Sequence, residues 1–192
     1  MNPKIILAST SPRRKELLQK IGVKFKIKDS DYEENMKENL PPHALAKKLS
    51  RGKAEAVAKR HKNAIIIAAD TIVVLDQEVM GKPHSPKEAK AMLKKLSGKT
   101  NLVITGFTVI NTKTNKIISK SIETKVHMKK LNPKIINAYV KSKEPLDKAG
   151  AYAIQGLGSI LIDKIEGDYS NIVGLPLAPL VVALKKFGVK VL

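Results

Sequence analysis

The most apolar stretch of the chain is NAIIIAADTIVVLD, residues 63–76, in which six apolar residues lead into Asp70 and Thr71 and four more β-formers follow. Unbroken runs this rich in Ile and Val fit a strand buried on both faces, as in parallel sheets. A shorter apolar strand is predicted at 4–8. Ser11, Pro12, Leu17, Leu18, Ile21 and Gly22 then supply the cap, first turn, apolar face and stop of a helix. Residues 23–27 alternate as a further strand. Pro41 and Pro42 introduce a helix of about five turns, reaching roughly residue 62, with an apolar stripe of Leu45, Leu49, Ala56 and Val57. Beyond the central strand, a helix is predicted at 86–96. Val, Ile and Thr alternate over 101–110 and 116–130 around a turn at 111–115, the pattern of an antiparallel hairpin. A helix at 133–141 precedes three strand segments, 151–155, 158–165 and 170–173. Gly174, Leu175 and Pro176 open a last helix to about residue 187, and 189–192 reads as a terminal strand. Strands alternating with helices first and a hairpin later predict an α/β fold with a mixed sheet, one domain over 1–192.

Against this pattern a few polar residues stand out. A carboxylate inside the central apolar run must be paired, bound to a metal or placed where a strand end opens into a cleft, since unpaired burial costs several kcal/mol, roughly. Asp70 is therefore the first site candidate, the plainer alternative being that the strand stops at Ala69 and Asp70 starts a turn. Arg13 and Arg14 sit in the first turn of a helix, where free N–H groups and the macrodipole favour an anion over a cation. A bound phosphate would resolve the conflict, and the alternative is a solvated basic helix end. Only four Arg occur in the chain, and the planar guanidinium grips phosphate oxygens in a two-pronged way that Lys cannot. Lys53 falls on the apolar stripe of its helix, four residues after Leu49 and four before Val57, so its ammonium must snorkel or meet an anion. An acidic loop with Asp29, Asp31, Glu33, Glu34 and Glu38 could help hold a divalent cation or be plainly exposed. Gly81, Lys82 and Pro83 form a rigid turn presenting a lysine. The segment Ser97-Gly98-Lys99-Thr100 looks like half of a phosphate-binding loop, but Leu93 stands where the upstream glycine is needed and a helix precedes it, so the motif is rejected.

Composition narrows the classes. At 43% hydrophobic and 28% charged residues the chain is that of a globular protein and not a disordered one. No apolar run approaches the ~18 residues that span a bilayer, and the N-terminus runs straight into a strand without a signal-peptide pattern. Without cysteine there is no disulfide or thiolate chemistry, and the cytoplasm is the expected location. The net charge of +19 invites a nucleic-acid reading. However, 32 of the 36 basic residues are Lys spread along the chain, and aromatic content is 4% with no Trp, which leaves few stacking platforms.

Taken in order, LASTSPRR at 7–14, AADT at 68–71, GKP at 81–83, LSGKT at 96–100, EPLDKAGAYAIQG at 144–156 and IVGLP at 172–176 resemble the Maf nucleotide pyrophosphatases over essentially the whole chain. The resemblance implies an α/β fold with an elongated mixed sheet flanked by helices and a substrate cleft between two lobes, like that of inosine triphosphate pyrophosphatases. It implies hydrolysis of nucleoside triphosphates between the α and β phosphates, dependent on a divalent metal, Mg²⁺ or Mn²⁺. By similarity Asp70 is the proton acceptor or a metal ligand, and Ser9, Arg13, Arg14, Lys53 and Lys82 bind phosphates. Glu34 resembles the family's loop acid and joins Asp70 and Asp147 as metal candidates, with Lys148 beside them. Thr71 after the aspartate, with DKAGAY and IQG, resembles the branch acting on dTTP and UTP, which makes Arg13, Thr71 and Gln155 the specificity positions. Thr10 and Ala153 stand where smaller residues are common. The expected partners are a nucleoside triphosphate and, among proteins, a second copy of the chain; no membrane or nucleic acid is expected. A division regulator that binds nucleotide without turning it over is the alternative.

Overall fold

The computed structural model describes residues 3–33, 35 and 38–191. Its elements run β1 (Lys4–Ala8), α1 (Pro12–Lys20), β2 (Lys26–Lys28), α2 (Pro42–Ala58), β3 (Ala64–Leu75), β4 (Glu78–Met80), α3 (Pro86–Leu96), β5 (Thr100–Asn111), β6 (Lys116–Met128), α4 (Pro133–Lys141), β7 (Ile162–Glu166), α5 (Tyr169–Val173) and α6 (Leu177–Lys185). The strands form one mixed sheet in the order β2-β1-β3-β5-β6-β7, with β4 paired to β3. β1 is parallel to both β2 and β3, while β4 is antiparallel to β3 and β7 to β6. The predicted α/β class with a mixed sheet is what the chain forms. By compactness it divides into Met1–Asp70 with Thr105–Ile122 and Gly174–Leu192, and Thr71–Ile104 with Glu123–Val173.

In the first unit the core follows from strand alternation. Ala64, Ile66 and Ala68 share one face of β3 and pack with Ile6 and Ala8 of β1 and with Ala54 and Val57 of α2. Helix and sheet approach closely where a side chain would block them: a Cβ at Gly106 of β5 would lie 2.0 Å from the Ala46 carbonyl oxygen of α2. Just beside it Ser50 Oγ of α2 lies 3.0 Å from Thr108 Oγ1, which in turn is 2.9 Å from Ser119 Oγ, so these buried hydroxyls satisfy one another.

In the second unit, Val73, Leu75, Leu93, Leu96, Val126 and Tyr139 are among the residues of one buried cluster drawn from β3, α3, β6 and α4. Tyr152 Oη donates to Asn101 Oδ1 at 2.8 Å, and Asn101 Nδ2 donates to the Val126 carbonyl at 3.2 Å, so the buried phenol is anchored.

Five expectations differ from the observed elements. The strand at 23–27 is shorter and later, Lys26–Lys28. Residues 151–155 form no strand and the segment 158–165 is one only in its second half: 3-10 turns cover Ala149–Ala151 and Gly156–Leu161, and β7 begins only at Ile162. Gly150, Ala151 and Gly156 all take left-handed backbone angles, φ +68°, +59° and +66°, which no continuous strand accommodates. Residues 170–173 lie in α5, whose start is capped by Asp168 Oδ1, accepting from the Ser170 amide at 2.7 Å and its hydroxyl at 2.6 Å. Residues 189–191 form no strand. No helix among the described residues is long and apolar enough to cross a membrane.

Candidate active site

The strand does not stop at Ala69. β3 continues through Asp70 to Leu75, so strand alternation carries the Asp70 side chain onto the same face as Ala64, Ile66 and Ala68, the face covered by α2. Helical spacing brings Lys53 of α2 onto that same interface, because Leu49, Lys53 and Val57 recur every four residues and all are buried. The two meet: Lys53 Nζ donates to Asp70 Oδ1. Asp70 is 5% and Lys53 8% exposed. Neither snorkelling nor a turn is observed. The buried carboxylate is paired, one of the three conditions on which its burial was tolerable.

Next to β3, β1 ends in a tight turn that presents a second group of polar side chains. Leu7 and Ile67 are the last pair of the β1–β3 ladder, and after Ala8 the chain leaves the strand through Ser9. Ser9 is buried, and its Oγ accepts from the Ser11 amide at 3.2 Å and from Arg14 Nη1 at 3.5 Å. Ser11 caps α1 by accepting from the Arg14 amide, with Pro12 in the first turn, as the sequence predicts. Arg13 and Arg14 are both half-buried, not a solvated helix end. Arg14 Nε donates to the Gly174 carbonyl at 2.8 Å, a partner that local pattern could not reveal because 160 residues separate the two. Helix amides, two guanidinium groups and a hydroxyl thus follow the carboxyl end of β1, groups of the kind that can hold a phosphorylated anion.

The acidic loop is tied to this unit by Arg60, which donates to Asp31 Oδ2 at 2.6 Å, to the Asp29 carbonyl at 2.7 Å and to the Ser30 carbonyl at 3.2 Å. Glu34 lies outside the described residues. Among the described residues no group of three or more His, Asp or Glu forms a ready-made metal cage.

The remaining candidates lie in the second unit. Thr71 follows Asp70 on β3 and is half-buried. Lys82 is exposed, in a turn held where the Gly150 amide donates to the Gly81 carbonyl at 3.0 Å. Asp147 and Lys148 pair with each other, and Gln155 is half-buried at the start of the turn 156–161. The rejected loop is structural here: the Gly98 amide donates to the Lys129 carbonyl at 3.0 Å and Lys99 Nζ to Asp76 Oδ2 at 2.9 Å. One residue inside a quoted motif went unassigned. Glu144 accepts hydrogen bonds from Tyr139 and from the amides of Leu157 and Gly158; its position just before a proline in a charged loop gave no hint of those partners.

The family described as Maf-like protein matches residues 4–187. A protein named dTTP/UTP pyrophosphatase from Methanosarcina mazei is 51% identical over 98% of this chain and 96% of its own. Another so named, from Thermoanaerobacter sp., is 49% identical over 98% of this chain and 100% of its own. Among solved structures, the Staphylococcus aureus Ham1 protein is similar in fold, with a TM-score of 0.55 and 14% identity over 97% of this chain and all of that one. With the match running almost end to end and relatives near half identity, the chain belongs to the Maf-like protein family.

Proposed function

We propose that the chain hydrolyses nucleoside triphosphates between the α and β phosphates, with dTTP and UTP preferred, releasing the monophosphate and pyrophosphate. The observation that carries the reading is the buried Asp70 carboxylate, held by Lys53, in the same unit as the capped first turn of α1 that carries Arg13 and Arg14. The names of relatives at about half identity support the substrate. In this mechanism Asp70 takes the proton of the attacking water, and Lys53 fixes the carboxylate's orientation through Oδ1. Ser9, Arg13, Arg14 and the first amides of α1 neutralise charge that grows on the phosphoryl oxygens, as does Lys82. Arg13, Thr71 and Gln155 set the base preference, Gln155 because its amide both donates to and accepts from a pyrimidine edge.

The donor set fits a divalent ion of the Mg²⁺ class. Such ions commonly bind through one or two carboxylates plus substrate phosphates and do not need an all-protein cage, and Asp70 has a second oxygen beyond the one Lys53 engages. Asp70, and by resemblance Glu34 and Asp147, would hold it. When bound it supplies further neutralisation of phosphate charge. Cleansing of free nucleotides in the cytoplasm is the role this reading proposes.

The test is an assay of the purified chain with Mg²⁺ or Mn²⁺ against a panel of nucleoside triphosphates, separating pyrophosphate from orthophosphate. Pyrophosphate from dTTP and UTP, abolished by chelator, is the expected result. Pyrophosphate chiefly from a purine nucleotide would overturn the substrate assignment, and tight nucleotide binding without any product would replace the enzyme by a nucleotide-binding regulator.

A further inference from the structure

Glu144 begins a 3-10 turn, Glu144–Asp147, and directs its carboxylate at another stretch of main chain. Oε2 accepts from the Leu157 amide at 3.0 Å, while Oε1 accepts from the Gly158 amide at 2.9 Å and from the Tyr139 hydroxyl at 3.0 Å. Two successive amides converging on one anion, after a left-handed residue, make the concave backbone arrangement that binds negative charge; here Gly156, at φ +66°, supplies the left-handed step. The fit leaves no room. A Cβ on Gly156 would lie 2.7 Å from Glu144 Oε2, and one on Gly158 would lie 2.6 Å from Tyr139 Oη and 2.4 Å from the Ala153 carbonyl oxygen. Burial and the neighbouring Glu144 carboxylate push the Tyr139 phenol well above its ordinary value, so it remains a donor to that carboxylate.

The residue that enters this clamped turn is Gln155. Its backbone is extended, φ −104° and ψ 164°, and it joins directly to Gly156, so the direction of the main chain at 156–158 fixes where the Gln155 amide is aimed. We propose that Glu144 is the positioning residue for nucleobase selection, holding the turn 156–158 so that Gln155 presents its amide in the one orientation that reads a pyrimidine edge. The inference rests on Gln155 being a specificity residue. It predicts that the carboxylate acts on discrimination between bases, whereas a mere clip of the fold would affect all nucleotides alike. Charge matters as well as shape: in Glu144→Gln one acceptor oxygen becomes an NH₂ group facing an amide donor, which displaces the turn with almost no change of volume.

The experiment compares kcat/KM for dTTP with that for ATP and GTP in the wild type, Glu144→Gln, Gln155→Ala and the double variant. Glu144→Gln is expected to lower the dTTP preference roughly 10- to 100-fold, the scale of an ångström-sized misplacement. In the Gln155→Ala background it should add nothing further, since it acts through that residue. Should Glu144→Gln fail to fold, Gly156→Ala keeps the carboxylate and displaces the turn by contact, and the same loss of preference is expected. A proportional fall for every nucleotide, with Gln155→Ala still losing preference, overturns the positioning role alone. An unchanged preference in Gln155→Ala overturns the base-reading role of Gln155 and the positioning role with it.

Discussion

At the scale of single residues, the Asp70–Lys53 pair sets what substitutions can report. Removing one partner of a buried pair leaves an uncompensated charge and costs about 3–5 kcal/mol, while replacing both by apolar groups is often close to neutral. Asp70→Asn should therefore lower turnover by roughly two to four orders of magnitude, the range of a lost general base, while nucleotide binding persists in a calorimetric titration. Lys53→Met should destabilise the apo chain in a denaturant melt, and Lys53→Met combined with Asp70→Leu should recover much of the loss. Near-normal turnover in Asp70→Asn would remove the carboxylate from the mechanism. Both members were legible in the sequence, each as a charge out of keeping with its apolar row, one at strand period and one at helix period. That they satisfy each other was not legible, because it depends on which face of β3 receives α2. Arg14 shows the same limit: its place in a helix first turn could be read, its bond to the Gly174 carbonyl could not.

At the scale of elements, those with a long period or a cap were readable and the stretch between α4 and β7 was not. Helices α1, α3 and α4 begin at Ser11, Ser85 and Asn132, whose side chains accept from the amide three residues on, and each announces itself by a cap followed by proline. Residues 149–161 carry strand-like composition but are shaped by left-handed steps and by Glu144, neither of which leaves a periodic trace. The approach of α2 to β5 gives a prediction at this scale. Gly106→Ala places a methyl 2.0 Å from the Ala46 carbonyl oxygen, against helix backbone that cannot rotate away. The expected cost is about 1–3 kcal/mol or more, a Tm fall of roughly 2–12 °C for a chain of this size. Gly81→Ala, where a Cβ meets nothing within 4 Å, should leave Tm nearly unchanged in the same calorimetric scan. Equal effects at the two glycines would show that α2 and β5 do not approach so closely. Because α2 carries Lys53, activity in Gly106→Ala should fall along with stability.

At the scale of the whole molecule, the net charge of +19 and the buried phenols pull the alkaline stability in opposite directions. Raising pH through the lysine range, about 10.4, removes positive charge and relieves self-repulsion. Burial also raises the Tyr139 and Tyr152 phenols above their ordinary value, and a group raised on folding contributes stability that is whole below its unfolded pKa, about 10, and is lost as pH climbs beyond it. The two effects separate in a comparison of the wild type with Tyr152→Phe. The variant leaves Asn101 Oδ1 without the phenol that donates to it, so near pH 8 it should be less stable by about 1–3 kcal/mol. Lysine titration is common to both proteins and cancels in their difference. The Tm gap should then narrow steadily between about pH 10 and 11, where only the wild type pays for keeping the Tyr152 phenol protonated. A gap that stays constant over that interval would mean that Tyr152 ionises as readily folded as unfolded, and its hydroxyl would then have to reach solvent instead of Asn101.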